Sequence, residues 1–138
     1  MLMRPFQMSD YSAVLALWQQ SAPGITLRPS DEPAEVARKL ERDPDLFLVA
    51  EEDSIIIGVI MGAWDGRRGW IHHLAVQESW RNRGVGSALL SEVEKRLKIK
   101  GCLKVNLMVL KDNFDAQRLY ARLGYQTMSS TLLMGKEL

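Results

Sequence analysis

All five prolines of this chain, Pro5, Pro23, Pro29, Pro33 and Pro44, lie in its first third, and none occurs from residue 45 to residue 138. Proline fixes φ and removes a backbone donor, so helix interiors and central strands exclude it. The irregular segments therefore belong to the front of the chain, and the remainder is free to form regular elements joined by short turns. At 138 residues the chain has the length of one ordinary domain. Residues 1–138 are read as a single domain, because no linker, internal repeat or low-complexity stretch divides them.

Hydrophobic periodicity gives the elements in outline. Residues 2 to 6 read as a short strand. Ser9 or Asp10 is expected to cap a helix whose apolar residues Val14, Leu15, Leu17 and Trp18 share one side. A loop over residues 21 to 33 leads into a helix through Val36, Ala37 and Leu40. "LFLVAEED" and "SIIIGVIMGAW" read as two strands of a hairpin with a tight acidic turn, and "GWIHHLAV" as the next strand, entered through a turn from Asp65 to Gly69. Val85, Leu89, Val93 and Leu97 recur at helical spacing until Gly101, and "LKVNLMVL" follows as a strand. A last helix, Asp115 to Leu123, ends at Gly124, and the tail alternates as one or two closing strands. The expected fold is α/β, with a mixed sheet and about four helices.

Composition excludes several classes. A net charge of +1 leaves no footprint for nucleic acid or for a polybasic membrane contact. The longest uncharged apolar run, Ile55 to Trp64, is too short to span a bilayer, and the N-terminus shows no secretory signal, so a cytoplasmic location is expected. Cys102 is the only cysteine; it supports neither a disulfide framework nor a thiolate zinc site, and no metal site is expected.

One stretch conflicts with simple helix stability. In "WRNRGVGSALLSEVEKRL", Gly84 and Gly86 stand where a helix begins, although glycine inside a helix costs about 1 kcal/mol relative to alanine. The gain is access. The first N–H groups of a helix lack internal partners and carry the positive end of its dipole, so a strand, a glycine-rich turn and a helix start together form an anion site. No Gly-Lys-Ser/Thr follows as in a P-loop. Leu89 and the missing acidic strand end argue against a dinucleotide fingerprint.

The pattern Arg81-x-x-Gly84-x-Gly86, after a strand ending Leu74-Ala75-Val76, resembles the acyl-CoA pyrophosphate loop of the GNAT superfamily of N-acetyltransferases. "WIHHLAV" resembles the family's central, bulged strand. "DNFDAQRLYARLGYQ" resembles its second signature through Asn113, Ala116, Tyr120, Gly124 and Tyr125. The resemblance covers about residues 70 to 126 and implies a mostly antiparallel twisted sheet with splayed central strands. It also implies acetyl-CoA as acyl donor, with direct attack by a primary amine in a ternary complex.

By the resemblance, backbone amides across Arg81, Asn82, Arg83, Gly84, Val85 and Gly86 hold the pyrophosphate, with Ser87 beside them in the first helical turn. Leu74, Ala75 and Val76 line the pantetheine arm, and the Leu74 N–H faces the thioester oxygen, a donor worth roughly 3–4 kcal/mol in such a transition state. Tyr120 is implied as the general acid for the departing thiolate. Without the family pattern it reads as core, on an apolar face with Ala116, Leu119 and Leu123. Asn113 reads from the residues as a plain helix N-cap, and the resemblance implies a contact with the cofactor as well.

A base is less clearly encoded. Met108 stands where some family members carry a glutamate. Strand alternation lets at most one of His72 and His73 face the cleft, and His72, which shares its parity with Leu74, is the expected base unless a bulge changes the parity. A water chain served by Asp65 or Glu78 is the other route. The resemblance implies an acceptor groove, for a small-molecule or peptide amine, from about residues 18 to 36 and 126 to 134, where Arg28, Asp31 and Glu32 could read a charged acceptor and Trp18 either lines the groove or packs in the core. A non-catalytic acyl-CoA-binding module of the same fold is the alternative, and apolar residues near the C-terminus are compatible with a homodimer.

Overall fold

The apolar run Ile55–Trp64 forms β3, the middle strand of a five-stranded sheet that the computed structural model describes within residues 1–138. The sheet runs β1 (Leu2–Pro5), β2 (Phe47–Glu52), β3, β4 (Gly69–Val76) and β5 (Val105–Leu107), in chain order from edge to edge. The first four strands pair antiparallel, and β5 joins β4 in parallel, so the sheet is mixed. Asp53 and Ser54, both with positive φ, make the two-residue turn between β2 and β3.

Four helices cover the sheet: α1 (Tyr11–Gln20), α2 (Pro33–Arg42), α3 (Val85–Ile99) and α4 (Phe114–Arg122). Because both faces are covered, β3 is buried on both sides and reads as a continuous apolar run. Leu89, Leu90, Val93 and Leu97 of α3 pack on Leu48, Ile57, Ile60 and Ile71. On the opposite face, Val14, Leu17 and Trp18 of α1 and Val36 of α2 pack on Phe47, Val49, Val59, Met61 and Ala75. The helical stripe expected from Val85 to Leu97 is buried throughout, and Gly101, with φ +97°, ends α3.

Close approach of α3 to β3 depends on Gly62. A Cβ there would lie 2.7 Å from Val93 Cγ1 and 2.9 Å from the backbone oxygen of Leu46. The second contact is backbone, which has little room to yield. Gly62→Ala is expected to destabilise the fold by about 1–3 kcal/mol, read as a lower urea midpoint at unchanged m-value.

Three expectations are corrected. Neither Ser9 nor Asp10 caps the first helix with its side chain: a 3₁₀ turn, Met8–Asp10, precedes α1. The Asp10 carboxylate instead accepts from the Gln7 N–H at 2.8 Å and pairs with Arg4 at 2.8 and 2.9 Å, which holds its carboxyl below the usual range. The strand expected over residues 103 to 110 shrinks to Val105–Leu107, with Met108, Val109 and Leu110 exposed. The closing strands are absent, and residues 126 to 138 form no regular element. Both losses have one physical origin. The β4–β5 ladder ends at the Ile71–Leu107 pair, so no long outer edge exists for the tail to join.

That ladder ends where β4 bulges. Val59 pairs with Ala75 and Met61 with His72, so two steps on β3 match three on β4. The extra residue is taken up at His73, whose φ is +48°. A bulge bends its strand and increases the local twist, and here it carries the end of β4 away from β5. The central strands are splayed.

Candidate active site

The splay leaves the outer edge of β4 without a strand partner from His72 onward. Gln77 N–H donates to Ile57 O at 2.8 Å, and Ala75 pairs with Val59. In an antiparallel ladder the alternate residues turn their polar groups the other way, so the N–H and C=O of Leu74 and Val76 point to the open edge. The Val76 carbonyl accepts there from Arg81 Nε at 3.1 Å.

Beyond β4, a 3₁₀ turn (Glu78–Trp80) leads into the loop ahead of α3. Asn82 and Gly84 both have positive φ, +61° and +84°. A Cβ at Gly84 would meet nothing within 4 Å, so glycine is favoured there by conformation rather than by crowding. Gly84 is the N-cap of α3 and offers no capping side chain, and its carbonyl accepts from Ala88 N–H at 3.0 Å. The amides of Val85, Gly86 and Ser87 thus have no acceptor within the helix. A Cβ at Gly86 would stand 3.5 Å from Leu119, 3.6 Å from Val76 and 3.9 Å from Leu74, so the start of α3, the end of β4 and α4 converge there. Arg81, Asn82 and Arg83 are exposed, and the Arg83 guanidinium lies 5.0 Å over the Trp80 ring.

Helix α4 supplies Tyr120. Its ring packs with Leu74 and Val76 against the α3-side core and meets Tyr125 edge-on at 5.8 Å. Burial alone pushes its phenol up to about 12, with no hydrogen bond contributing, so it stays protonated throughout the physiological range. Asn113 caps α4, its side chain accepting from Ala116 N–H at 3.3 Å. Asn113 also abuts the α1–α2 loop, since a Cβ on Gly24 would be 2.9 Å from its Nδ2. Gly124, with φ +94°, terminates the helix as expected.

The histidines break the parity argument. His72 pairs with Met61 and His73 contacts Trp18, so both rings lie on the α1/α2 face, whereas Leu74 packs on the α3 face. The bulge permits two consecutive residues on one side. His72 therefore does not share the side of Leu74. Burial, and then the nearby Lys39 ammonium, push its imidazole below the ordinary value. His73 Nε2 lies 2.8 Å from Asp31 Oδ1, and its ring meets Trp18 edge-on at 5.1 Å. Asp31 is buried and also accepts from the Arg28 N–H at 3.0 Å, while its carbonyl receives the Tyr11 hydroxyl at 2.7 Å.

Asp31, read from sequence only as one of several charges in a loop, is thus a fixed part of this face. Its position three residues after Arg28, ahead of a helix, was the available signal for a local cap. Nothing in the sequence tied it to His73. Arg28 and Glu32 are exposed, and Trp18 is fully buried. Beside Trp18 the α1–α2 loop forms an open surface groove of about 320 Å³ lined by Ala22, Pro23, Ile25 and Leu27. Asp65 is committed elsewhere, its carboxylate accepting from the amides of Arg67 and Arg68 at 2.7 and 2.6 Å at the opposite end of β4. Glu78 and Met108 are exposed. No helix is long and apolar enough to cross a membrane.

Comparison with known proteins agrees with this arrangement. The model of the GNAT acetyltransferase family matches residues 11–125. An acetyltransferase of Sodalis glossinidius is 43% identical over 139 aligned residues, covering 100% of this chain and 96% of the relative. A Yersinia pestis protein described as an uncharacterized N-acetyltransferase is 42% identical at the same coverage. Among solved structures, Ard1 of Thermoplasma volcanium superposes with a TM-score of 0.79 at 27% identity, covering 89% of this chain and 80% of its own. The PaiA N-acetyltransferase of Thermoplasma acidophilum, solved with coenzyme A, shares the fold at a TM-score of 0.80 and 22% identity, covering 91% and 89% of the two chains. With a family model spanning most of its length and full-length relatives above two-fifths identity, this chain belongs to the GNAT family of acetyltransferases.

Proposed function

We propose that this acetyltransferase moves the acetyl group of acetyl-CoA to the nitrogen of a primary amine, by direct attack in a ternary complex. One observation carries the reading: the unpaired edge of β4 at Leu74 and Val76 runs into the free amides of Val85, Gly86 and Ser87, with Tyr120 on the same face. These groups suit an acyl-CoA. Free amides at a helix start suit its pyrophosphate, with Arg81, Asn82 and Arg83 alongside. A bare strand edge suits the amides of the pantetheine arm along Leu74, Ala75 and Val76. Asn113, at the mouth of α4, is a further contact.

In the transfer, nitrogen forms the C–N bond and the carbonyl oxygen takes up negative charge beside the Leu74 N–H. The C–S bond then breaks, its electron pair goes to sulfur, and sulfur receives the Tyr120 proton. The nitrogen proton lost as the amide forms restores the phenol through solvent. Cys102 is not an acyl carrier in this scheme: its Sγ lies by Gly69 and 3.2 Å from Lys104 O, at the far end of β4. The Yersinia relative's description as an N-acetyltransferase favours nitrogen as the acceptor atom.

The exposed Met108, standing where some family members carry a glutamate, favours a second reading, a non-catalytic acyl-CoA-binding module. Thiol release from acetyl-CoA, followed with a panel of small primary amines and peptides, separates the two. Amine-dependent release with the acetyl amide found by mass spectrometry, and initial-rate lines that intersect, supports the enzyme. Binding of acetyl-CoA without turnover on any amine supports the module.

A further inference from the structure

The geometry points to His73, held by Asp31, as the base that deprotonates the acceptor ammonium, and to the α1/α2 face of β4 as the side from which the acceptor approaches. This assignment rests on the N-acetyl transfer proposed above. Its first support is the bulge. His73 is the residue immediately before Leu74, whose N–H faces the open edge, and the strained φ of +48° turns the His73 ring to the α1/α2 face. Tyr120 lies with Leu74 on the α3 face. Proton acceptor and proton donor therefore flank the edge from opposite sides, as needed when the nucleophile enters on one side and the thiolate leaves on the other.

Its second support is the tautomer. An ionised carboxylate only accepts hydrogen bonds, so the 2.8 Å contact to Asp31 Oδ1 puts the neutral ring's proton on Nε2 and leaves the Nδ1 lone pair to take a proton. Asp31 is fixed in turn by the Arg28 N–H, and the Tyr11 hydroxyl anchors its carbonyl. The pair is largely buried, with side chains 23% and 7% exposed. The other charged or titratable groups near it are His72 and, from α2, Lys39, with Tyr11 and Glu32 around Asp31. Trp18, which His73 meets edge-on, also lines the apolar groove of the α1–α2 loop, which suits an acceptor carrying an apolar group beside its amine.

The step balances simply. R–NH₃⁺ gives one proton to Nδ1, leaving R–NH₂ with its lone pair free for attack. The imidazolium, with Nε2–H on Asp31, then returns that proton to solvent. Asp31 is a positioning residue and His73 the catalytic one.

The test contrasts two amines, benzylamine, which is an ammonium ion at neutral pH, and O-benzylhydroxylamine, whose amino group is largely neutral there. Asparagine tolerates positive φ, so His73→Asn keeps the bulge while removing the base. The expected result is a fall of about 10²-fold in kcat with benzylamine, with less than about threefold change for O-benzylhydroxylamine and an unaltered acetyl-CoA titration. Asp31→Asn should show the same pattern at about tenfold. Equal losses with both amines would mean a structural role and would overturn the assignment, as would a selective benzylamine loss seen with His72→Gln instead. Failure of the unmutated protein to acetylate either amine while binding acetyl-CoA would defeat the underlying reading and this assignment with it.

Discussion

Tyr120→Phe is expected to slow amine-dependent thiol release by about 10²–10⁴-fold, with little change in acetyl-CoA binding or thermal midpoint. The selectivity follows from the environment of the side chain. The ring packs against the α3-side core and meets Tyr125 edge-on, and phenylalanine preserves that packing. The hydroxyl makes no hydrogen bond that contributes to its titration, so its removal leaves no buried partner unsatisfied. The lost group is the one proposed to protonate the leaving thiolate. Because burial pushes the phenol up to about 12, it remains protonated at neutral pH, and the rate should show no alkaline fall from this group there. Equal activity of the variant would remove Tyr120 from the chemistry and revive the binding-module reading.

Gly86→Asp is expected to weaken acetyl-CoA binding by about 10–100-fold, the equivalent of one charge-assisted hydrogen bond of about 1.5–3 kcal/mol, without unfolding the protein. A Cβ at this position would meet Leu119, Val76 and Leu74 only at 3.5 to 3.9 Å, ordinary contact distances. A carboxylate in the first turn of α3 is favourable for the helix itself. It would, however, occupy or repel from the amides of Val85, Gly86 and Ser87 that a phosphate requires. Gly86→Ala separates charge from bulk and should lose less affinity than the aspartate. Calorimetric titration of both variants, beside a thermal melt, reads the difference. Wild-type affinity in the aspartate variant would move the pyrophosphate away from this helix start.

The legible part of this protein was the part governed by local rules. The continuous apolar run of β3, the four-residue stripe of α3 and the glycine stops at Gly101 and Gly124 all follow from periodicity and backbone conformation, and all stand in the structure. The glycines at 84 and 86 announced free helix-start amides because their presence opposed helix stability. The resemblance implied a bulged strand, but nothing in the sequence said which residue takes up the bulge. Alternation assigns sides by counting, and one extra residue at His73 reverses the count. That reversal put both histidines on the face opposite Leu74 and ended the β5 ladder after Leu107. The His73–Asp31 contact joins residues 42 positions apart, a tertiary fact with no local signature. The tail's alternating pattern is compatible with strands, but a three-residue β5 provides almost no edge for it to pair with.

The central claim is that the loop from Arg81 to Ser87 and the open edge of β4 together bind an acyl-CoA. Isothermal titration of the purified protein with acetyl-CoA, with NAD and ATP as controls, tests it most directly. The account predicts micromolar binding of acetyl-CoA alone. No heat with acetyl-CoA, or equal affinity for all three ligands, would contradict it and reduce Gly84 and Gly86 to residues that merely shape a turn.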